Sequence, residues 1–182
     1  MSFTYIVLLR GINVGGHKKI RMQDLTTSLQ GSGLADVKTY IQSGNLVVKT
    51  EDTDPTALAE RIARCIKEHY LFEVEVIVRT LSAFRKSWVE NPFLSHPEAD
   101  FEKIYVTYLK NTLTPKQAAS LSGIHFPPEE FILQNNEIYV YCTNGYGRTK
   151  LDNGLFERKL QIKATTRNLK TIQKLLEMAE ET

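Results

Sequence analysis

Cysteine is scarce: Cys65 and Cys142 are the only two in 182 residues. Each sits within an apolar pattern. That excludes a disulfide-stapled scaffold and predicts buried, reduced, unlinked thiols in a cytoplasmic protein. Long apolar runs are missing too. None approaches the roughly 18 residues of a membrane span, so no membrane partner is expected. The opening segment MSFTYIVLLRG lacks a basic start and a small-residue cleavage site, and it reads as a first strand rather than a signal peptide. Surplus charge is also missing. Lys and Arg total 23 against 21 Asp and Glu, a formal charge of +2. So small a balance does not by itself imply nucleic acid, and any electrostatic function must come from local clustering.

The familiar catalytic signatures are absent. His17, His69, His96 and His125 show no metal-ligand spacing, and neither metal nor cofactor is expected. There is no G-x-S-x-G elbow. GINVGGHK has neither Walker A nor dinucleotide-fingerprint spacing. His69 reads as structural. Ser43 reads as a turn former rather than a nucleophile. Glu129 and Glu130 precede a strand and read as solvated.

What is present is a core-forming pattern, with 42% hydrophobic residues. The length suits one large domain or two small ones. Phe3 to Leu9 reads as a strand and Met22 to Gln30 as a helix stopped by Gly31 and Gly33. Val37 to Ile41 and Leu46 to Thr50 read as strands around the turn QSGN. Asp54 caps a helix with Pro55 at its first position. Glu73 to Arg79 alternates as a strand, and Thr80 caps a trailing helix.

The second half repeats this order. Lys103 to Leu109 reads as a strand. Thr114-Pro115-Lys116-Gln117 is a capping box. Phe131 to Leu133 and Ile138 to Cys142 flank the turn QNNE. Asn153 to Leu160 reads as a helix and Gln161 to Thr165 as a short strand. Asn168 caps a last helix. The expected fold class is α+β: a tandem duplication of ferredoxin-like βαββαβ units, antiparallel sheets with helices on one face. Residues 1–91 form the first unit with its trailing helix, and 101–182 form the second. The two-proline stretch 92–100 links them.

This topology groups the polar loops. The loop after strand one, RGINVGGHKK, meets the QSGN turn at one sheet end. The loop YGRTK meets TTRN in the second unit. Glycines permit positive φ, and backbone N–H groups in such loops can cradle an anion. Arginine suits bidentate phosphate or carboxylate recognition. The candidate anion-binding residues are Arg10, Gly11, Asn13, Gly15, Gly16, Lys18, Lys19, Ser43, Asn45, Tyr146, Arg148, Lys150 and Arg167. The leading expectation is a phosphorylated small molecule or nucleotide held in a basic cleft between the two units. A second reading is single-stranded RNA binding. Alternation is read to place Tyr105, Tyr139 and Tyr141 on one open sheet face where bases could stack. A third is a regulatory or interaction protein without a small-molecule site. No oligomeric state follows from the sequence.

At LLRGINVGGHKKIRM, TYIQSGN, YGRTKL, FERKL and ATTRN the chain resembles the bacterial family catalogued as domain of unknown function 1697. The resemblance covers nearly the whole chain. It implies a soluble cytosolic protein of duplicated ferredoxin-like halves. It carries no activity and assigns no catalytic residue. It places Arg10, Gly11, Asn13, Gly15, Gly16, Gln42 to Asn45, Tyr146 to Arg148 and Thr166 to Asn168 in the family pattern. Thr149 stands where serine is common.

Overall fold

The computed structural model describes residues 2–95 and 99–181. His96 to Glu98 of the expected linker, with Met1 and Thr182, lie outside the described residues. The fold is mixed α+β, with two four-stranded antiparallel sheets and helices. Contacts divide the chain into two compact units, Met1–Arg85 with Lys174–Thr182, and Lys86–Gln173.

The first sheet contains β1 (Phe3–Leu9), β2 (Asp36–Tyr40), β3 (Asn45–Thr50) and β4 (Val76–Thr80), in the order β2-β3-β1-β4. Helix α1 (Met22–Gly31) connects β1 to β2, and α2 (Pro55–Tyr70) connects β3 to β4. Asp54 caps α2 by accepting from the Thr56 N–H at 2.8 Å. Leu71 closes it in the left-handed region, at φ 59°. Leu25 and Leu29 of α1 and Leu58, Ile62 and Ile66 of α2 are wholly buried. They pack with Val7, Leu9, Leu46 and Val48 in one core. Helical spacing on one side and strand alternation on the other produce that core. Helix α3 (Leu81–Val89) follows β4.

The second sheet contains β5 (Ile104–Leu109), β6 (Glu130–Gln134), β7 (Glu137–Tyr141) and β8 (Ala164–Asn168), in the order β6-β7-β5-β8. The short α4 (Pro115–Ala119) begins with the full capping box of Thr114 and Gln117. The β6–β7 turn uses Asn135 and Asn136 at φ 53° and 64°, the pair of positive φ values that a two-residue hairpin requires. Helix α5 (Asn153–Leu160) ends at Gln161, which is left-handed at φ 55°. That reversal delays the next strand. β8 therefore spans Ala164–Asn168, not Gln161 to Thr165, and pairs Tyr105 to Leu109 with Asn168 to Ala164. TTRN is strand, not loop. Asn168 caps α6 (Leu169–Glu180) by accepting from the Thr171 N–H at 2.8 Å.

The tyrosine platform does not exist. Paired residues of an antiparallel ladder share a face. Tyr105 pairs with Val140, and Val106 with Tyr139. Tyr105 therefore lies on the face packed by α5, and Tyr139 and Tyr141 lie on the other. That other face is not open at Tyr139, which is fully buried. Within the same unit, Ser87 of α3 hydrogen-bonds the Tyr108 hydroxyl at 2.9 Å, and Phe93 packs on Tyr141 with ring centroids 5.7 Å apart. Phe93, in the expected linker, is itself buried.

Cys65 and Cys142 are buried and free of any disulfide. Burial pushes the Cys142 thiol up from its ordinary 9.0 to about 11, more than its hydrogen bond with Thr149 lowers it. An acid whose folded pKa is raised adds stability below its unfolded pKa and loses it as pH rises through the folded value. Unfolding free energy should hold steady up to about pH 9 and decline toward pH 11, and Cys142→Ala should flatten part of that decline. Both thiols of the native protein should resist alkylation at pH 8. Rapid modification of Cys142 before unfolding would contradict its burial.

Candidate functional site

In the first unit, residues 10–21 form a small hairpin rather than a glycine cradle leading straight into α1. Val14 and His17 bridge around Gly15 and Gly16, at φ 58° and 79°. A tight turn with two positive φ values accounts for both glycines. Asn13 ties this loop to the turn after β2. Its Nδ2 donates to the Ile20 carbonyl at 2.9 Å and the Gln42 carbonyl at 2.7 Å, and its Oδ1 accepts from the Ile20 N–H at 2.8 Å. The loop and the turn thus meet at one sheet end, with Asn13 committed to joining them.

The other first-unit residues divide in the same way. Asn45 is buried and its Nδ2 donates to the Tyr40 carbonyl and to Ser43 Oγ. Lys18 donates to the Glu73 carbonyl at 2.6 Å. The Glu73 carboxylate is paired with Lys67 at 2.7 Å, which holds its pKa below the ordinary range. Arg10 donates its backbone N–H to the Glu75 carbonyl. Gly11, at φ 67°, and Lys19 are exposed. No side chain caps the N-terminus of α1, where Arg21 lies 3.9 Å from Asp24.

The second unit carries a different arrangement. Tyr146 is half-buried against Tyr105, with centroids 4.8 Å apart. Its hydroxyl donates to Thr166 Oγ1 at 3.0 Å and accepts from the Asn153 N–H at 3.1 Å. Thr166 Oγ1 donates to Asn153 Oδ1 at 2.7 Å, so the 2.7 Å bond from Thr107 must bring its own proton. This network anchors residues 146–153 to β8. Burial raises the Tyr146 pKa. Arg167 lies on the opposite face of β8 from Thr166, opposite Val106. It is 7% exposed and donates to Thr165 Oγ1 and the Thr166 carbonyl. Burial pushes its guanidinium down to about 10. Arg167 is therefore a buried strand residue on the sheet face away from Thr166.

Arg148 and Lys150 lie elsewhere. With Asn144, His125, Phe126, Pro127, Pro128 and Glu129 they line a cavity of about 280 Å³. A second cavity of about 300 Å³ shares His125 to Glu129 and extends to Ile124, Glu130 and Phe131. Both are near the lower end of the roughly 300–1,000 Å³ usual for ligand sites. Their common wall is a turn in which the Glu129 N–H donates to the Phe126 carbonyl at 2.9 Å. Thr143 Oγ1 fastens the loop after β7 to the Pro128 carbonyl at 3.2 Å. Lys150 Nζ sits 5.4 Å from the Phe126 ring centroid, within cation–π range. The Arg148 guanidinium is exposed and makes no side-chain hydrogen bond or ion pair with another described residue.

Glu129 corrects the expectation of a solvated residue. It is 8% exposed. Its Oε2 accepts a hydrogen bond from Thr149 Oγ1, which accepts in turn from the Leu151 N–H at 2.9 Å. A threonine twenty positions along the chain makes that burial tolerable, and neighbouring residues give no hint of it. Among the described residues no cluster of His, Cys, Asp and Glu could hold a metal ion. Among the described residues no helix is long and apolar enough to cross a membrane.

No curated protein matches the chain. Among solved structures it is similar to a conserved bacterial protein of Streptococcus pneumoniae, with 26% identity and a TM-score of 0.77, over 98% of this chain and 99% of that one. A family model described as Protein of unknown function (DUF1697) matches residues 2–139. The matched span contains the first loop, the QSGN turn and Glu129, and it stops short of Arg148 and Lys150. With that span the chain belongs to the family described as Protein of unknown function (DUF1697).

Proposed function

We propose that the second unit binds a small phosphorylated molecule through Arg148, Lys150 and Asn144 at the cavity beside Phe126. One observation carries this reading: two cations border the cavity, and neither is paired with a carboxylate among the described residues. A guanidinium in that setting offers a planar fork of donors to a phosphate. Lys150 adds a second charge, and Asn144 a neutral donor. In the first unit the anion reading rests on the exposed Lys19 at the loop. We read the two units as ferredoxin-like βαββαβ folds from a tandem duplication. The matching orders β2-β3-β1-β4 and β6-β7-β5-β8 support that reading. Buried, unlinked thiols fit a cytoplasmic location.

Calorimetry with inorganic phosphate and a nucleoside monophosphate tests the binding reading. A charge-assisted bond at a partly desolvated site is worth about 1.5–3 kcal/mol. Arg148→Ala should weaken either ligand about 10-fold or more while leaving the melting temperature nearly constant. Equal affinity in the two proteins would remove the basis of the proposal. Tight RNA binding with a steep salt dependence, indifferent to Arg148, would favour the RNA reading instead.

A further inference from the structure

Glu129 is the one acid buried in this cavity wall among the described residues, and Thr149 holds only one of its carboxylate oxygens. Oε2 is held by Thr149. Oε1 makes no hydrogen bond with any described residue, and no ion pair joins the carboxylate to Arg148 or Lys150. An ionised carboxylate only accepts hydrogen bonds. Oε1 is not sealed from solvent, since the buried side-chain atoms left without a partner among the described residues are the Tyr70 hydroxyl and Asn91 Nδ2, so a ligand's donor can reach it. The donors at the cavity rim are therefore not spent on Glu129, and Glu129 is not spent on them.

We propose that the cavity takes a zwitterion: a small phosphate ester whose anion meets Arg148 and Lys150 and whose ammonium group, a few atoms away, meets Glu129 Oε1. This rests on the anion reading of the same cavity and adds a substrate class to it. Thr149 acts as a positioning residue, since its hydroxyl holds Oε2 and so orients Oε1. The volume of about 280 Å³ suits a molecule of a few carbons.

O-Phosphoethanolamine and ethyl phosphate separate the possibilities, because they share size and phosphate and differ in the amine. Two cations alone would favour ethyl phosphate, the more negative of the pair. Glu129 reverses that order. By calorimetry at pH 8, O-phosphoethanolamine should bind the unaltered protein about 10-fold or more tightly than ethyl phosphate. Glu129→Gln should remove that advantage and return the preference to ethyl phosphate, and Arg148→Ala should weaken both. The comparison on the unaltered protein needs no variant, so it stands even if Glu129→Gln unfolds. Equal binding of the two ligands, still sensitive to Arg148→Ala, would overturn the zwitterion inference and leave the anion site standing. Binding of both that ignores Arg148→Ala would overturn the anion site itself.

Discussion

Gly44→Ala should lower the unfolding free energy by roughly 2–5 kcal/mol, as measured by chemical denaturation. Gly44 sits at φ 78°, where an L-residue costs about 1–2 kcal/mol. A Cβ there would come 2.6 Å from Leu9 Cβ and 2.9 Å from Ile12 Cδ1. Both neighbours are buried, at 0% and 1% exposure, so neither can swing into solvent. Forcing a methyl group into a packed core typically costs a further 1–3 kcal/mol. The Gly44 carbonyl also accepts the Leu9 N–H at 2.8 Å, and moving the turn away would give up that bond. Gly11→Ala is the control. Gly11 has φ 67°, but its added Cβ would meet nothing within 4 Å. It should show the strain alone, about 1–2 kcal/mol. Equal losses in the two variants would contradict the packing argument at Gly44.

Phe156→Ala should cost about 3–5 kcal/mol, the usual range for emptying a buried aromatic site. Phe156 on α5 is fully buried and meets the Phe131 ring edge-on, with centroids 5.5 Å apart. It shares a cluster with Leu109, Val140, Leu151 and Leu160, which joins α5 to the second sheet. Phe131 also lines the cavity of about 300 Å³, so the same cluster backs the candidate site. A loss under about 1 kcal/mol would mean that the cluster does not hold α5 in place.

The readable parts of the fold were those set by local chemistry. Asp54-Pro55 and Thr114-Pro115-Lys116-Gln117 start helices because cap and proline act within one turn. QSGN and QNNE mark hairpins because their residues tolerate positive φ. What could not be read depends on partners distant in sequence. The side of the sheet on which Tyr105 lies depends on pairing with Val140, and alternation within one strand cannot reveal it. The start of β8 depends on the left-handed Gln161, which a β-prone run of threonines hides.

The same holds for the site. Arg148 and Lys150 stood out by composition, and the structure brings both to one cavity. Glu129 did not stand out, because its burial depends on Thr149. Asn13 and Lys18 have ligand-like chemistry. The Asn13 amide donors are used by the Ile20 and Gln42 carbonyls, and one Lys18 donor by the Glu73 carbonyl 55 positions away. Glycine spacing signalled turns in both loops, and it could not separate the requirement at Gly44, set by packing, from that at Gly15, set by the turn alone.

Amide-resolved NMR during a titration with inorganic phosphate tests the central claim most directly, because it reports where an anion binds. The account predicts saturable shifts concentrated at Phe126, Glu129, Asn144, Arg148 and Lys150, and their loss in Arg148→Ala. Shifts confined to residues outside that cavity, or none at millimolar phosphate, would contradict it.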